Sequence, residues 1–246
     1  MSGYLETPTG RRIAFHRSNG RGPGVVFLGG FKSDMTGTKA LWLDNWARER
    51  GRAFLRFDYS GHGDSSGTFE EGCIGDWFAD ACHVITTLTD GPQVLVGSSM
   101  GGWIALLVAR AMSQRVAGLV TIAAAPDFTE QGFWSGFTDA QRRTLMTAGR
   151  IELPSEYAGQ PYVITRRLIE DGRDHLVMTQ TLPLPFPVRM LQGTADADVP
   201  VDWAMRLLDH ADGQDMRLTL AKGADHRFSS PPCLSLIGQS IDDVLA

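Results

Sequence analysis

The chain has 246 residues, of which 43% are hydrophobic, and it carries a net charge of −5 at pH 7. This length and apolar content suffice for a single domain with a full core, spanning residues 1–246. The acidic balance argues against nucleic acid as a partner, because nucleic acid selects for basic patches. No apolar run reaches 18 residues, so no stable membrane insertion is expected. The predicted ligands are small molecules or acyl groups, and the oligomeric state is left open.

The cysteines and the first residues of the chain bear on its compartment. Cys73, Cys82 and Cys233 are odd in number and lack Cys-x-x-Cys spacing, which is typical of reduced thiols in a reducing compartment. The first residues contain neither an apolar signal segment nor an Arg-rich amphipathic transit pattern. We therefore expect a cytoplasmic protein.

Short apolar runs rich in β-formers alternate with amphipathic helices along the chain. The predicted strands cover residues 12–16 (an edge strand), 25–28, 53–58, 94–97, 117–122, 188–192 and 217–220. The predicted helices cover residues 38–50, 75–89, 101–113, 201–210 and 234–245. Such alternation predicts a largely parallel sheet with helices on both faces, and ligands bind such sheets beyond the carboxyl ends of the strands.

The alternation stops between residues 126 and 187, where no strand of the central sheet is predicted. Aromatic side chains are concentrated in this segment: Phe128, Phe133, Trp134, Phe137, Tyr157 and Tyr162. We interpret the segment as a helical cap or lid over the site. The alternative is an ordinary helical insertion with its own small core, because aromatic residues often pack against each other.

One serine is enclosed by glycines between a predicted apolar strand and a predicted apolar helix. Gly97, Ser99 and Gly101 form the pattern Gly-x-Ser-x-Gly, which is typical of a nucleophile elbow. The turn is strained and brings the helix against the strand, so side chains at either glycine position would collide with the backbone. A serine hydroxyl attacks a carbonyl only if a base, an acid and an oxyanion site converge on it. The sequence predicts Ser99 as the nucleophile of covalent acyl chemistry.

A second match to the same pattern lies at Gly63, Ser65 and Gly67. It belongs to a long glycine-rich turn and leads into no apolar helix. We therefore expect the Ser65 hydroxyl to bond to the local backbone.

The general base is predicted from its position after a strand. His226 follows the strand at 217–220 through a flexible loop and is the last of six histidines in the chain. This placement favours His226 as general base, and His210 is the alternative.

The orienting acid is expected between the serine and the histidine in chain order. Asp196 and Asp198 both follow the strand at 188–192. The spacing favours Asp196, because Asp198 adjoins Pro200 and is suited to cap the helix that begins at residue 201. The Asp-x-Asp pair is also compatible with a hard cation, but no further ligand cluster supports one. We expect no metal and no cofactor.

Two backbone amides are predicted to form the oxyanion hole. One belongs to Met100, directly after the serine, and the other to Phe31, where Gly29 and Gly30 let the chain turn sharply. The alternative for the glycine pair is a simple turn.

The order of Ser99, Asp196 and His226 on a parallel-sheet pattern resembles the α/β-hydrolase superfamily. Segments 37–41, 56–61, 96–103 and 225–227 are similar to the family of mitochondrial palmitoyl-protein thioesterases, also described as acyl-glucuronide esterases, and their bacterial relatives. The chain departs from many superfamily members at Gly29, where they place a histidine.

The resemblance implies an α/β-hydrolase fold with a cap after the sixth strand. It also implies Ser99 as nucleophile, Asp196 as acid and His226 as base in the hydrolysis of esters or thioesters. The expected substrate is a small-molecule or acyl-protein ester or thioester. Two alternatives are a binding scaffold without catalysis, and perhydrolysis or C–C bond hydrolysis at the same three residues.

Overall fold

A computed structural model describes residues 1–153 and 161–246 of the chain. The strands are β1 Ser2–Glu6, β2 Arg12–Ser18, β3 Arg21–Leu28, β4 Arg52–Phe57, β5 Gln93–Ser98, β6 Val116–Ile122, β7 Arg150–Leu153, β8 Tyr162–Thr165, β9 Leu182–Pro183, β10 Val188–Gly193, β11 Ala211–Asp212 and β12 Met216–Ala221. The α-helices are α1 Thr38–Glu49, α2 Ile74–Leu88, α3 Met100–Ala111, α4 Asp139–Ala148, α5 Arg166–Asp174, α6 Val201–His210 and α7 Pro231–Val244. Tyr157, one of the predicted cap aromatics, lies outside the described residues.

Eight of the described strands form one sheet in the order β1-β2-β4-β3-β5-β6-β10-β12. The six strands from β4 to β12 run parallel, and β1 and β2 are antiparallel additions at one edge. The prediction of a largely parallel sheet is confirmed. All six parallel strands therefore end at the same edge of the sheet.

Two sequence predictions need correction at the ends of the chain. The strand predicted at the edge, near residues 12–16, is second in the sheet, because β1 pairs with it in antiparallel register. Residues of β1 alternate between exposed and half-buried, so this segment lacks the apolar run from which a strand is predicted. The last helix begins at Pro231, three residues earlier than predicted, because proline is well suited to the first turn of a helix.

Helices cover both faces of the sheet, as predicted. Side chains of the central strand β5 alternate between the two layers. Leu95 belongs to the same apolar cluster as buried residues of α2, α3 and α6, whereas Val94 and Val96 belong to the cluster that includes α1 and α7. Trp77 on α2 and Trp103 on α3 are fully buried in the first layer. No helix among the described residues is both long and apolar enough to cross a bilayer.

The segment between β6 and β10 contributes no strand to the central sheet within its described residues. It contains the π-helical turn Thr129–Trp134, then α4, then α5. It also contains an antiparallel pair, β7 with β8, in which Ile151 lies opposite Ile164. The predicted helical cap therefore also carries a short strand pair of its own, which the sequence did not predict because four-residue strands give too short a pattern to be recognised.

This inserted segment packs directly on α2 and α3. The indole nitrogen of Trp103 donates to the His175 carbonyl at 3.1 Å, and the Asp171 carboxylate accepts the Gly75 amide at 2.7 Å. The buried residues Leu145, Ile164 and Leu168 of the insert belong to the same apolar cluster as the α2 and α3 core. The insert therefore rests on one helical layer of the sheet domain.

A buried carboxylate joins the two ends of this inserted segment. Asp127 has a φ of 58° just after β6, and its oxygens accept the amides of Val177 at 2.9 Å and Met178 at 3.0 Å. Burial raises the pKa of Asp127 in spite of these two bonds. The side chain thus holds the returning chain against the carboxyl end of β6.

We predict that Asp127→Ala destabilises the protein, because it leaves the buried Val177 amide and the half-buried Met178 amide without an acceptor. A buried unsatisfied donor costs about 1–3 kcal/mol, so the free energy of unfolding falls by about 2 kcal/mol or more in urea titrations. Asp127→Asn keeps one acceptor oxygen and loses less. The control Asp139→Ala, at a side chain that is 82% exposed, changes stability by about 0.5 kcal/mol at most. Equal losses in both alanine variants contradict this role.

Candidate active site

Ser99 lies in a strained turn between β5 and α3. Its φ of 54° and ψ of −118° are rare for a residue with a side chain. The Ser99 amide donates to the Ile122 carbonyl at 2.9 Å, and its carbonyl accepts the amides of Gly102 at 2.9 Å and Ala125 at 3.1 Å. These bonds to β6, α3 and the chain after β6 hold the turn in place.

The glycines on both sides of Ser99 are required by close backbone contacts. A Cβ at position 97 would lie 2.4 Å from the Gly101 carbonyl oxygen, and one at position 101 would lie 2.1 Å from the Leu28 carbonyl oxygen. The predicted collisions are confirmed, so the sequence pattern has its steric cause in the packing of α3 on β5 and β3.

Three of the residues predicted from the sequence come together at the carboxyl edge of the sheet. Nε2 of His226 lies 3.1 Å from Oγ of Ser99, and Nδ1 of His226 lies 2.9 Å from Oδ2 of Asp196. They follow three different strands of the sheet, β5, β10 and β12. The result is one continuous chain of hydrogen bonds.

The Asp196 side chain is fully buried and accepts four hydrogen bonds. Oδ1 accepts hydrogen bonds from the backbone amides of Asp198 and Val199, each at 2.9 Å. Oδ2 accepts one from the side-chain amide of Gln192 at 3.0 Å and one from His226. Burial by itself raises the pKa of this carboxyl, but the bonds from His226 and the two backbone amides outweigh it. The pKa therefore lies below its ordinary value and the group is ionised at neutral pH.

The ionised carboxylate determines which ring nitrogen of His226 carries the proton. A carboxylate only accepts hydrogen bonds, so Nδ1 donates to Asp196. Nε2 is then the acceptor that faces the Ser99 hydroxyl. This arrangement is suited to remove the hydroxyl proton.

Asp198 does not have the helix-capping role predicted for it. The N-cap of α6 is Pro200, with no side-chain hydrogen bond, and Asp198 is exposed on the wall of a pocket. Asp196, Asp198 and His226 have possible metal-ligating atoms within 4.8 Å of one another. Both Asp196 oxygens and both His226 nitrogens are already engaged in hydrogen bonds, so this set does not fit a resident metal ion.

The alternative candidates from the sequence lie elsewhere. Nε2 of His210 bonds to the carbonyls of Val177 at 3.0 Å and Gln180 at 2.8 Å, so this histidine supports the inserted segment. The Ser65 hydroxyl donates to the Asp58 carbonyl at 2.7 Å and accepts the Ala14 amide at 2.8 Å. The second Gly-x-Ser-x-Gly match is therefore a structural turn, as predicted.

The two residues predicted to supply oxyanion amides, Phe31 and Met100, line the same pocket as the serine. Met100 is the first residue of α3, so its amide has no acceptor within the helix. A Cβ at Gly30 would lie 3.5 Å from Cβ of Ser99, which brings the connection after β3 against the serine. Gly29, Gly30, Phe31 and Met100 line the same pocket as Ser99.

This pocket has a volume of about 610 Å³, and its lining falls into two chemical groups. The aromatic group is Phe27, Phe31, Phe128, Phe133, Tyr162 and Trp203. The polar group includes Ser33, Asp34, Thr38, Lys39, Arg227 and Ser229. Ser99 and His226 line the pocket together with both groups.

The aromatic group is organised around Phe31. Its ring centroid lies 5.5 Å from Phe128, 6.1 Å from Phe133 and 5.9 Å from Tyr162, all with edge-to-face geometry. The last three side chains belong to the inserted segment, so that segment contributes to the pocket wall. The sequence did not predict Trp203, because its position on a regular helix, α6, carries no signal of proximity to the site.

Comparisons with known proteins agree with this fold. The alpha/beta hydrolase family model matches residues 25–244. Human mitochondrial palmitoyl-protein thioesterase ABHD10 is 34% identical over 243 residues, which cover 98% of this chain and 79% of that protein. A solved structure from Agrobacterium vitis, described as a hydrolase, is 38% identical with a TM-score of 0.95 and covers 100% of this chain and 99% of its own.

The mouse alpha/beta hydrolase domain-containing protein 10 is also similar in structure. It is 32% identical with a TM-score of 0.93, covering 100% of this chain and 98% of its own. These matches confirm the predicted α/β-hydrolase fold and the resemblance seen in the sequence.

The prediction of a cytoplasmic location is contradicted by the curated relatives. The human, bovine and rat proteins are all named as mitochondrial. Unpaired cysteines indicate a reducing compartment but do not distinguish one reducing compartment from another, which explains the error.

The family model covers most of this chain, and the human relative is 34% identical to it over 98% of this chain's length. With the fold and the convergent edge of the sheet, these matches show that the chain belongs to the alpha/beta hydrolase family.

Proposed function

We propose that this protein is a serine hydrolase that cleaves carboxylic esters or thioesters through an acyl-enzyme on Ser99. The observation that carries the proposal is the unbroken hydrogen-bond chain from Ser99 through His226 to Asp196, at 3.1 and 2.9 Å, on the wall of the pocket. The relatives named as palmitoyl-protein thioesterases support thioester or ester chemistry.

In the proposed acylation step, Oγ of Ser99 attacks the substrate carbonyl carbon while Nε2 of His226 accepts the hydroxyl proton. The Asp196 carboxylate stabilises the imidazolium that forms. The amides of Phe31 and Met100 donate to the oxygen that becomes negatively charged in the tetrahedral intermediate. The imidazolium then protonates the leaving oxygen or sulfur, and the C–O or C–S bond breaks.

Deacylation repeats the same steps with water as the nucleophile. Nε2 of His226 accepts a proton from water, the hydroxide oxygen bonds to the acyl carbon, and the bond to Ser99 breaks. The proton returns to the serine oxygen. The products are a carboxylic acid and an alcohol or thiol.

The aromatic group of the pocket is proposed to bind the acyl chain. Phe128, Phe133 and Tyr162 come from the insert, which we infer acts as a cap that covers an apolar acyl group. Burial of apolar surface is favourable by about 25 cal/mol per Å², so a longer acyl chain gains binding energy along these rings. The pocket is within the size range of small-molecule sites, which spans roughly 300–1,000 Å³.

We predict that a fluorophosphonate probe labels the wild-type protein and that Ser99→Ala abolishes the labelling. The probe forms a covalent bond only with an activated serine oxygen. Ser65→Ala removes the other serine of a Gly-x-Ser-x-Gly pattern and retains labelling. Gel fluorescence or intact mass measures the adduct. An unlabelled wild type contradicts the hydrolase and favours the scaffold without catalysis.

We predict that Asp196→Asn lowers kcat by up to about 10⁴-fold, because the amide no longer holds His226 in the required tautomer, as in other serine hydrolase triads. Asp198→Asn is the matched control, since this exposed neighbour reaches Asp196 through its backbone amide. It changes kcat by less than about tenfold. Steady-state hydrolysis of p-nitrophenyl esters measures both, and the reverse ranking reassigns the acid.

We predict that Phe133→Ala lowers kcat/KM for p-nitrophenyl octanoate by roughly tenfold, because about 1–2 kcal/mol of apolar contact is lost. The acetate ester is affected by less than about threefold, since a two-carbon acyl group does not extend along the rings. Trp134→Ala is the control, because that ring packs against Arg142 and Arg173. Equal losses on both esters would show that Phe133 does not contact the acyl chain.

A further inference from the structure

Lys39 is placed where an ammonium group is unfavourable. It is the second residue of α1, where the backbone amides of the first helical turn already carry partial positive charge. It is half-buried in the polar part of the pocket wall. Burial lowers the pKa of Lys39 to about 8, and the charge of Arg227 acts in the same direction while Asp225 opposes it.

The ammonium group of Lys39 donates a hydrogen bond to the backbone carbonyl of Arg227. Arg227 directly follows His226, so this bond acts on the peptide next to the proposed base. The same carbonyl also accepts the Ser229 hydroxyl at 2.9 Å. Two donors therefore converge on one backbone oxygen beside His226.

The loop that carries His226 is fixed on both sides of this point. The Ala224 carbonyl accepts the Ala195 amide at 3.0 Å, which joins the loop to the connection after β10. Phe228 is fully buried with a φ of 50°, and its amide donates to the Asp225 side chain at 3.1 Å. His226 and Arg227 lie between these anchors, and the bond from Lys39 ties this middle part to α1.

The bond joins two parts of the site that are far apart in the sheet. Lys39 lies on α1, directly after the connection that bears Phe31 and follows β3. His226 follows β12, and three strands, β5, β6 and β10, separate β3 from β12. The contact thus links the segment of the proposed oxyanion amide to the loop of the proposed base, across the edge where Ser99 lies.

We propose that Lys39 is a positioning residue, which holds the His226 loop in register with Ser99 through its bond to the Arg227 carbonyl. The inference rests on the proposed function, because it concerns the rate of the step in which His226 removes the serine proton. It assigns Lys39 no contact with substrate. A residue that acts in this way changes the chemical step for every leaving group and leaves substrate binding nearly unchanged.

The first test is a comparison of Lys39→Met with Lys222→Met. Lys222 is an exposed lysine at the start of the same loop, so both variants lose one positive charge and differ in the bond to Arg227. Lys39→Met is expected to lower kcat for p-nitrophenyl butyrate by about tenfold with KM within about twofold of wild type, and to slow fluorophosphonate labelling by a similar factor. Lys222→Met retains wild-type values.

The second test is the pH profile, which a purely structural role does not change. The charged groups facing the Lys39 ammonium are Asp225 and Arg227, and the Cys233 thiol on α7 also contributes to its pKa. Below about pH 8 the ammonium forms a charge-assisted bond, and as the pH rises through that value the proton is lost and the bond weakens. Wild-type kcat is therefore expected to decline above about pH 8.

The pH test also covers the case in which Lys39→Met does not fold. Lys39→Arg stays charged and is expected to retain at least a third of wild-type kcat at pH 7 while losing the decline above about pH 8. Equal kcat and equal pH profiles in wild type, Lys39→Met and Lys39→Arg would overturn the proposal. So would a loss confined to KM for esters with an anionic leaving group, which would make Lys39 a binding residue.

Failure of the positioning role and failure of the proposed function give different results. If the protein is not a serine hydrolase, the wild type itself is not labelled at Ser99. If only the role of Lys39 is wrong, the wild type is labelled and Lys39→Met is labelled at the same rate.

Discussion

The strained backbone of Ser99 is the constraint on which the site depends. A φ of 54° between β5 and α3 is maintained only because Gly97 and Gly101 let the helix pack against the neighbouring strands, where a Cβ would lie 2.1 to 2.4 Å from a carbonyl oxygen. Hydrogen bonds between Ser99 and both Ile122 and Ala125 hold the turn against the chain around the end of β6. The core of the sheet therefore stabilises a turn that is unfavourable by itself.

The Asp196 carboxylate, which bonds to His226, is held in place by hydrogen bonds from its surroundings. Asp196 is buried, a position that disfavours a carboxylate, yet four hydrogen bonds keep it ionised and leave it no freedom to rotate. That ionised group fixes the His226 ring and its proton. A buried charge with every lone pair used is suited to orient a neighbour, and it also explains why the same cluster is not suited to hold a metal ion.

The aromatic and polar groups of the pocket wall both involve the connection after β3 and the helix α1. Aromatic side chains of the insert pack against Phe31, whose own amide is the proposed oxyanion donor. In the proposed function, one segment therefore contacts both the acyl group and the reacting oxygen. On the polar side, Lys39 connects the following helix to the loop of His226. The connection after β3 and the helix α1 thus contact both the Ser99 turn and the loop of His226, although they supply neither the nucleophile nor the base.

The sequence by itself determined the alternation of strands and helices, the turn at Ser99 and the order of the candidate residues, because these depend on local periodicity and on glycines with a steric cause. It did not predict β1 or the pair β7 and β8, which are short strands. It also predicted Asp198 as the N-cap of α6, whereas the structure has Pro200 at that position. Only the tertiary structure decided that Ser99, Asp196 and His226 are within bonding distance, that Trp203 lies on the pocket and that Lys39 reaches Arg227. Those contacts join residues up to 188 positions apart, and no local pattern encodes a distance across the edge of a sheet.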